Sequence, residues 1–179
     1  PISAVLPDNF DGGYRAATHL IQQGARTLAI IAGPSDRIAS IERIEGFLSA
    51  VREAEIPFQE PQQIYYGDFS AYSGELGFFE LLNRIPAIDG VFCANDYMAA
   101  GALNAAHKSG KKVPEETKIL GFDNREFASF WPIPISSFAQ PLTDMGRTSA
   151  QVLFDLIEGN EPSNYEIKLK STLIKRNST

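Results

Sequence analysis

Apolar residues in this chain follow two alternating rhythms. Short uninterrupted runs have the length of buried strands, and between them apolar positions recur three and four residues apart, as on one face of a helix. The stretch Val91–Leu103, VFCANDYMAAGAL, shows the unit: an apolar run, two polar residues, then small helix-forming residues. Asn95 and Asp96 suit the start of a helix, because their side-chain oxygens accept free amide hydrogens of the first turn. The same reading predicts strands at Ala4–Leu6, Thr27–Ala32, Gln63–Tyr66, Gly90–Cys93, Thr117–Phe122, Ile135–Phe138, Tyr165–Leu169 and Thr172–Lys175. It predicts helices over Phe10–Gln23, Ile38–Glu53, Tyr72–Asn83, from Asn95 to before Gly110, and over Leu142–Ile157, the last ended by Gly159-Asn160-Glu161-Pro162. Asp123–Pro134 reads as an aromatic loop or short helix.

Strands alternating with helices argue for βαβ units with right-handed crossovers. Continuously apolar strands fit a sheet covered on both faces. The expected fold is therefore α/β, a parallel sheet flanked by helices on both faces. In such sheets ligands bind beyond the carboxyl ends of the strands. The residues delivered there are Asp36, Arg37 and Arg43 after the second strand, Asp68 and Phe69 after the third, and Asn95 and Asp96 after the fourth. Asp123 and Gln140 follow the next two. Arg offers a planar fork of donors, Asp accepts from hydroxyls, Asn and Gln do both, and an aromatic face covers a sugar ring or a base. Each has a plainer reading beside it. Asn95 serves equally as a helix cap, Glu42 and Arg43 as surface charges, Phe69 as core, and Asp123-Asn124 as turn formers. Convergence on one rim favours a small polyhydroxylated ligand.

Composition narrows the field. The 179 residues, 44% of them hydrophobic, suffice for a packed core. A net charge of −6 without a basic cluster disfavours nucleic-acid binding by this chain itself. A single cysteine, Cys93, rules out an internal disulfide and fits a reducing compartment. No apolar run approaches a membrane span, and no signal peptide opens the chain, although Pro1 implies that sequence precedes it. Phosphate-loop, dinucleotide and nucleophile-elbow motifs are missing, and His19 and His107 have no partner at metal-ligand spacing. We therefore expect no catalytic residue, no metal and no cofactor. Asp96 and Asp123 as an acid/base pair is a weaker reading than ligand holding.

The stretches DNFDGGYRAATHLIQQGARTLAIIAGP, SIERIEGF, GDFSAYSG, VFCANDYMAAGAL, VPEETKILGFDN and LIKRNS occur in that order. Together they make the chain resemble the effector-binding core of LacI/GalR-type transcriptional repressors. The resemblance implies a periplasmic-binding-protein-like (type I) lobe. Residues 1–140 would form the carboxyl-terminal lobe, 141–169 a helix and strand returning to an amino-terminal lobe, and 170–179 a closing strand and tail. It places ligand contacts on Arg37, Ala39, Arg43, Phe69, Asn95, Asp123 and Gln140, with Asp8 at the lobe junction. Ala39 stands where purine-binding members carry a hydroxyl, so the effector is expected to be a sugar or sugar phosphate rather than a purine. The implied protein is a cytoplasmic regulator that reaches operator DNA through a separate helix-turn-helix domain, with no membrane association. A sugar-binding transport receptor of the same fold is the alternative.

A homodimer is also expected. The Ala-rich helix after Asn95, with Gly101, lets two backbones approach closely, and Phe130-Trp131 adds adjacent aromatics. The interface assigned on this ground is Met98, Gly101, Ala102, Ala105, Phe130 and Trp131.

Overall fold

A computed structural model describes residues 3–160 and 165–179. Pro1, and the Glu161 and Pro162 expected to end the last helix, lie outside the described residues. The elements are β1 (Ala4–Pro7), α1 (Asn9–Gln22), β2 (Leu28–Ala32), α2 (Ile38–Glu53), β3 (Ile64–Tyr66) and α3 (Ala71–Arg84). After these come β4 (Gly90–Cys93), α4 (Asp96–Lys108), β5 (Lys118–Phe122), a 3-10 turn (Glu126–Ser129), β6 (Ser136–Ala139), α5 (Leu142–Ile157), β7 (Glu166–Leu169) and β8 (Thr172–Ile174). Six strands form one sheet in the order β3-β2-β4-β5-β6-β8. All its pairs are parallel except the edge pair β6–β8, so the expected parallel sheet closes on one antiparallel strand.

Helices cover both faces, as the continuous apolar strands require. Alternate side chains of each strand point to opposite faces. Ala29, Ile31, Val91, Cys93 and Ile119 pack beneath α3 and α4. Leu28, Ile30, Phe92, Leu120 and Phe122 pack beneath α1 and α2. On that second face four rings form a row: Phe47 stacks on Phe92 at 5.8 Å, Phe92 meets Phe122 edge-on at 6.4 Å, and Phe122 stacks on Phe138 at 6.0 Å. No helix among the described residues is long and apolar enough to cross a membrane.

The first strand departs from expectation. β1 does not enter the six-stranded sheet with the rest of residues 1–140; it pairs in parallel with β7, Leu6 opposite Lys168, as a separate two-stranded sheet. α5 lies beside β1, with Val152, Leu153 and Leu156 lining a small cleft opposite Ser3 and Val5, and it buries no residue fully. Three chain crossings join the pair and α5 to the main sheet: Pro7 to Asn9, Ala139 to Leu142, and Leu169 to Thr172.

The interface assigned to α4 also changes. Met98, Ala102 and Ala105 are wholly buried, and Gly101 lies against α3. A Cβ on Gly101 would stand 1.9 Å from the Ala71 carbonyl oxygen, and one on Gly74 would stand 2.2 Å from that of Met98. The close approach that small residues permit is thus spent between α3 and α4 of one chain, leaving these four nothing to offer a partner. Phe130 is exposed and Trp131 half-buried.

Candidate functional site

The strand order reverses at β2: the chain moves from β2 outward to β3, then back across to β4. Neighbouring strands there send their following loops apart and open a crevice at their carboxyl ends. Gly33 follows β2 and Asn95 follows β4 on that crevice. Phe69 reaches in from the loop after β3. Its ring sits so close over Gly33 that a Cβ there would meet the ring at 2.2 Å. Asn95 is the helix cap, and it also braces the neighbouring loop. Its oxygen caps α4, accepting from the Met98 amide at 2.8 Å, and its nitrogen donates to the Phe69 carbonyl at 3.0 Å. That bond holds Phe69 at φ +69°, where a bulky side chain needs outside support. The ring is half-buried and packs against the α3/α4 core, so it is partly core as well as rim.

Arg43 enters from the first turns of α2 and is 6% exposed. It is no surface charge. Its guanidinium carbon lies 3.7 Å from the centroid of the Phe122 ring, its Nε donates to Asn9 Oδ1 at 3.0 Å, and Nη1 donates to the Ala94 carbonyl. Burial lowers its pKa to about 10 against the opposing pull of the Asp123 and Glu42 charges, which leaves it a cation at neutral pH. Asp123 follows β5 at φ +96° and Asn124 at +51°. Gln140, after β6, donates to Asp123 Oδ1 at 2.5 Å. The Asp123 turn is held from below. Asp96 is completely buried; its two oxygens accept from Ser137 Oγ and from the Arg125 amide, each at 2.6 Å. Ser137 Oγ in turn accepts from the Asn124 amide at 3.0 Å, and Arg176 donates to Asn124 Oδ1 at 2.7 Å. Burial raises the Asp96 pKa to about 6 despite these bonds, with Asp123 adding repulsion.

The fold thus gathers Arg43, Asp123 and Gln140 on one side of the crevice and Phe69, Asn95 and Gly33 on the other, with Ala94 joining them. Arg37 and Ala39 are not drawn into this set. Arg37 is exposed beside Asp36 at 3.9 Å, and Ala39 is half-buried at the start of α2. Asp8 caps α1, accepting from the Asp11 amide at 3.0 Å, one residue from Asn9. Two participants escaped the sequence reading. Asn9 stands just before the predicted start of the first helix and Phe122 in a strand core; what they do depends on Arg43, which reaches them from another element. Among the described residues no three His, Cys, Asp or Glu side chains gather where a metal ion could sit. Cys93 is fully buried, and burial pushes its thiol pKa up.

The chemistry of this set suits recognition. A caged cation, an acceptor on a rigid turn, an amide and a ring edge suit hydroxyls arranged round a compact ligand.

Comparison with known proteins extends this picture. A family model described as a periplasmic binding protein-like domain matches residues 17–179. A transcriptional regulator, CelR of Thermobifida fusca, is 38% identical over 177 residues, covering 99% of this chain and 52% of its own length. The repressor PurR of Escherichia coli is 34% identical over 175 residues, covering 98% of this chain and 51% of PurR. The chain therefore spans about half the length of these relatives. Among solved structures, a CelR–cellobiose complex superposes with a TM-score of 0.92 at 38% identity over 99% of this chain and 54% of that one. A lac repressor dimer bound to operator superposes at 0.91 with 28% identity, over 100% of this chain and 61% of that one.

Proposed function

We propose that this chain, which belongs to the periplasmic binding protein-like family as the effector-binding part of a LacI-type regulator, senses a sugar or sugar phosphate in the crevice between β2 and β4. The relatives it matches are transcriptional regulators, not enzymes. The observation that carries the reading is the buried Arg43 cation, already fixed by Asn9, Ala94 and Phe122, set near the Asp123–Gln140 pair. A site whose donors are oriented before the ligand arrives loses little entropy on binding. Arg43 and Asp123 take the ligand's hydroxyl oxygens and hydrogens, Gln140 and Asn95 add amide contacts, and Phe69 covers a ring face. Arg37, Ala39 and Asp8 line the approach. The solved CelR complex with cellobiose favours a sugar over a purine.

In this reading residues 4–7, 141–160 and 165–169 belong with a second lobe that closes the crevice, and the exposed apolar side of α5 (Leu142, Phe154, Ile157) packs there. The protein works in the cytoplasm as a homodimer and reaches operator DNA through a separate helix-turn-helix unit. The chain itself, at net charge −6 and without a basic cluster, is poorly suited to grip a DNA backbone. With the α4 small residues spent internally, the two-fold contact falls on the aromatic surface of Tyr97, Phe130 and Trp131. There Tyr97 meets Phe127 at 4.9 Å and Phe127 meets Trp131 at 5.8 Å.

Calorimetric titration with cellobiose, glucose, glucose 6-phosphate and hypoxanthine tests the reading. Binding of a sugar or sugar phosphate, weakened in Arg43→Ala, is the expected result. Binding of hypoxanthine alone, or sugar binding indifferent to Arg43, overturns it.

A further inference from the structure

Arg43 is held from behind by a run of polar contacts that does not stop at its first neighbour. Its Nε donates to Asn9 Oδ1 at 3.0 Å. Asn9, itself buried, donates from Nδ2 to Glu42 Oε2 at 3.1 Å. The other oxygen of Glu42 accepts from Lys168 Nζ at 2.7 Å. Lys168 stands on β7, also facing Glu166 at 3.4 Å, and β7 belongs to the strand pair outside the main sheet. A continuous hydrogen-bonded path therefore runs from that strand pair to the guanidinium in the crevice.

The sense of each bond matters. Arg43 needs an oxygen from Asn9, because its guanidinium only donates. Asn9 presents that oxygen only while its nitrogen points the other way, and Glu42 receives that nitrogen. Were the Glu42 carboxylate to withdraw, only the bond from Arg43 itself would hold the Asn9 amide in this orientation, and its nitrogen would lose its acceptor. The flipped amide would set its hydrogens against those of the guanidinium. Glu42 is kept in place and ionised by Lys168: burial would push its carboxyl pKa up, but the hydrogen bonds from Lys168 and Asn9 bring it below the usual value. The same contact raises the Lys168 pKa. A lone, partly exposed Lys–Glu pair contributes little. Here the carboxylate has a second task, and such networks have couplings that pairwise contacts do not reveal.

We propose that Lys168, acting through Glu42 and Asn9, is a positioning residue for Arg43, so that the β1–β7 strand pair sets the placement of the guanidinium in the crevice. By reciprocity, a ligand held by Arg43 acts back on β7 along the same path. The consequence for binding rests on the effector reading given above; the positioning itself does not.

The test separates the two. The Arg43 Nε–H resonance, identified by its loss in Arg43→Lys, is followed without ligand in the parent chain and in Lys168→Met, Lys168→Arg and Asn9→Leu. Lys168→Met alters a surface position and spares the core. We expect it to shift the resonance and speed its exchange with solvent, and Lys168→Arg to restore both. In the double variant Lys168→Met/Asn9→Leu the resonance should match that of Asn9→Leu alone, since the path is already cut. An unmoved resonance in Lys168→Met, with Asn9→Leu effective, ends the path at Asn9 and overturns the proposal. Titration with cellobiose runs in parallel. If Lys168→Met moves the resonance but Arg43→Ala binds cellobiose as the parent does, the effector reading fails and the positioning stands. If cellobiose does not bind at all, the ligand-free resonance still decides.

Discussion

The guanidinium carbon of Arg43 lies 3.7 Å from the centroid of the Phe122 ring, and both residues are almost wholly buried. A desolvated cation over a ring face is worth about 2 kcal/mol or more. Phe122 thus supports Arg43 as well as filling the core, and each is sensitive to loss of the other.

Replacing Arg43 with Ala should weaken effector binding by about 1.5–3 kcal/mol, roughly ten- to a hundredfold. It should also lower the melting temperature, because Asn9 Oδ1 and the Ala94 carbonyl lose their donor. Arg43→Lys should rescue neither fully, since an ammonium cannot reproduce the planar fork. Titration calorimetry and thermal unfolding without ligand measure the two effects separately. A variant that binds the effector as the parent does would contradict the site assignment.

Phe69→Ala should lose on both counts. The ring covers Gly33 on the crevice side and packs into the α3/α4 core on the other. Weaker binding with an unchanged melting point would make it purely a rim residue; the reverse would make it purely core. Gly33→Ala should reproduce both losses in milder form by driving the ring outward.

Gly101→Ala should destabilise the single chain, because the new Cβ would press on the Ala71 carbonyl; overpacking of this kind costs roughly 1–3 kcal/mol. The loss in melting temperature should not depend on protein concentration. Phe130→Asp should behave oppositely, leaving the melting point at low concentration unchanged and reducing the mass seen by light scattering. A dimer indifferent to Phe130→Asp places the two-fold contact elsewhere.

Asp96 gives the chain a pH signature. Its folded pKa of about 6 lies above the ordinary value of 3.8. Between the two the folded chain keeps a proton that the unfolded chain has released, so this group makes stability fall as pH rises from about 4 to about 6. The fall is at most on the order of 3 kcal/mol. Asp96→Asn lacks the titration. Its melting temperature relative to the parent should therefore improve between pH 4 and pH 7, and a constant difference would refute the assignment.

Much of this was readable from residue order. The bounds of α2, β4 and α5 match the sequence reading to the residue, because an unbroken apolar run and a sustained helical period leave little choice. Arg43, Asp123 and Gln140 were expected together because each begins or follows an element at one end of the sheet. The pairing of β1 with β7 was not legible, since nothing in AVLP names its partner strand. Nor was the role of Asn9, which depends on Glu42 and Arg43 converging from α2. α4 misled for a different reason. A helix that packs on both a sheet and another helix is small and apolar on several sides, and periodicity does not distinguish a neighbour in the same chain from one in another.

The three crossings between the strand pair and the main sheet carry a mechanical consequence. Every covalent path between the two bodies passes through these ligaments, so a rotation of one against the other twists three short backbones at once. Asp8 and Gln140 stand on two of the ligaments, and Lys168 lies at the edge of the third. A small molecule that touched the first two, or loaded the third through Arg43, would act on the joints between the two bodies.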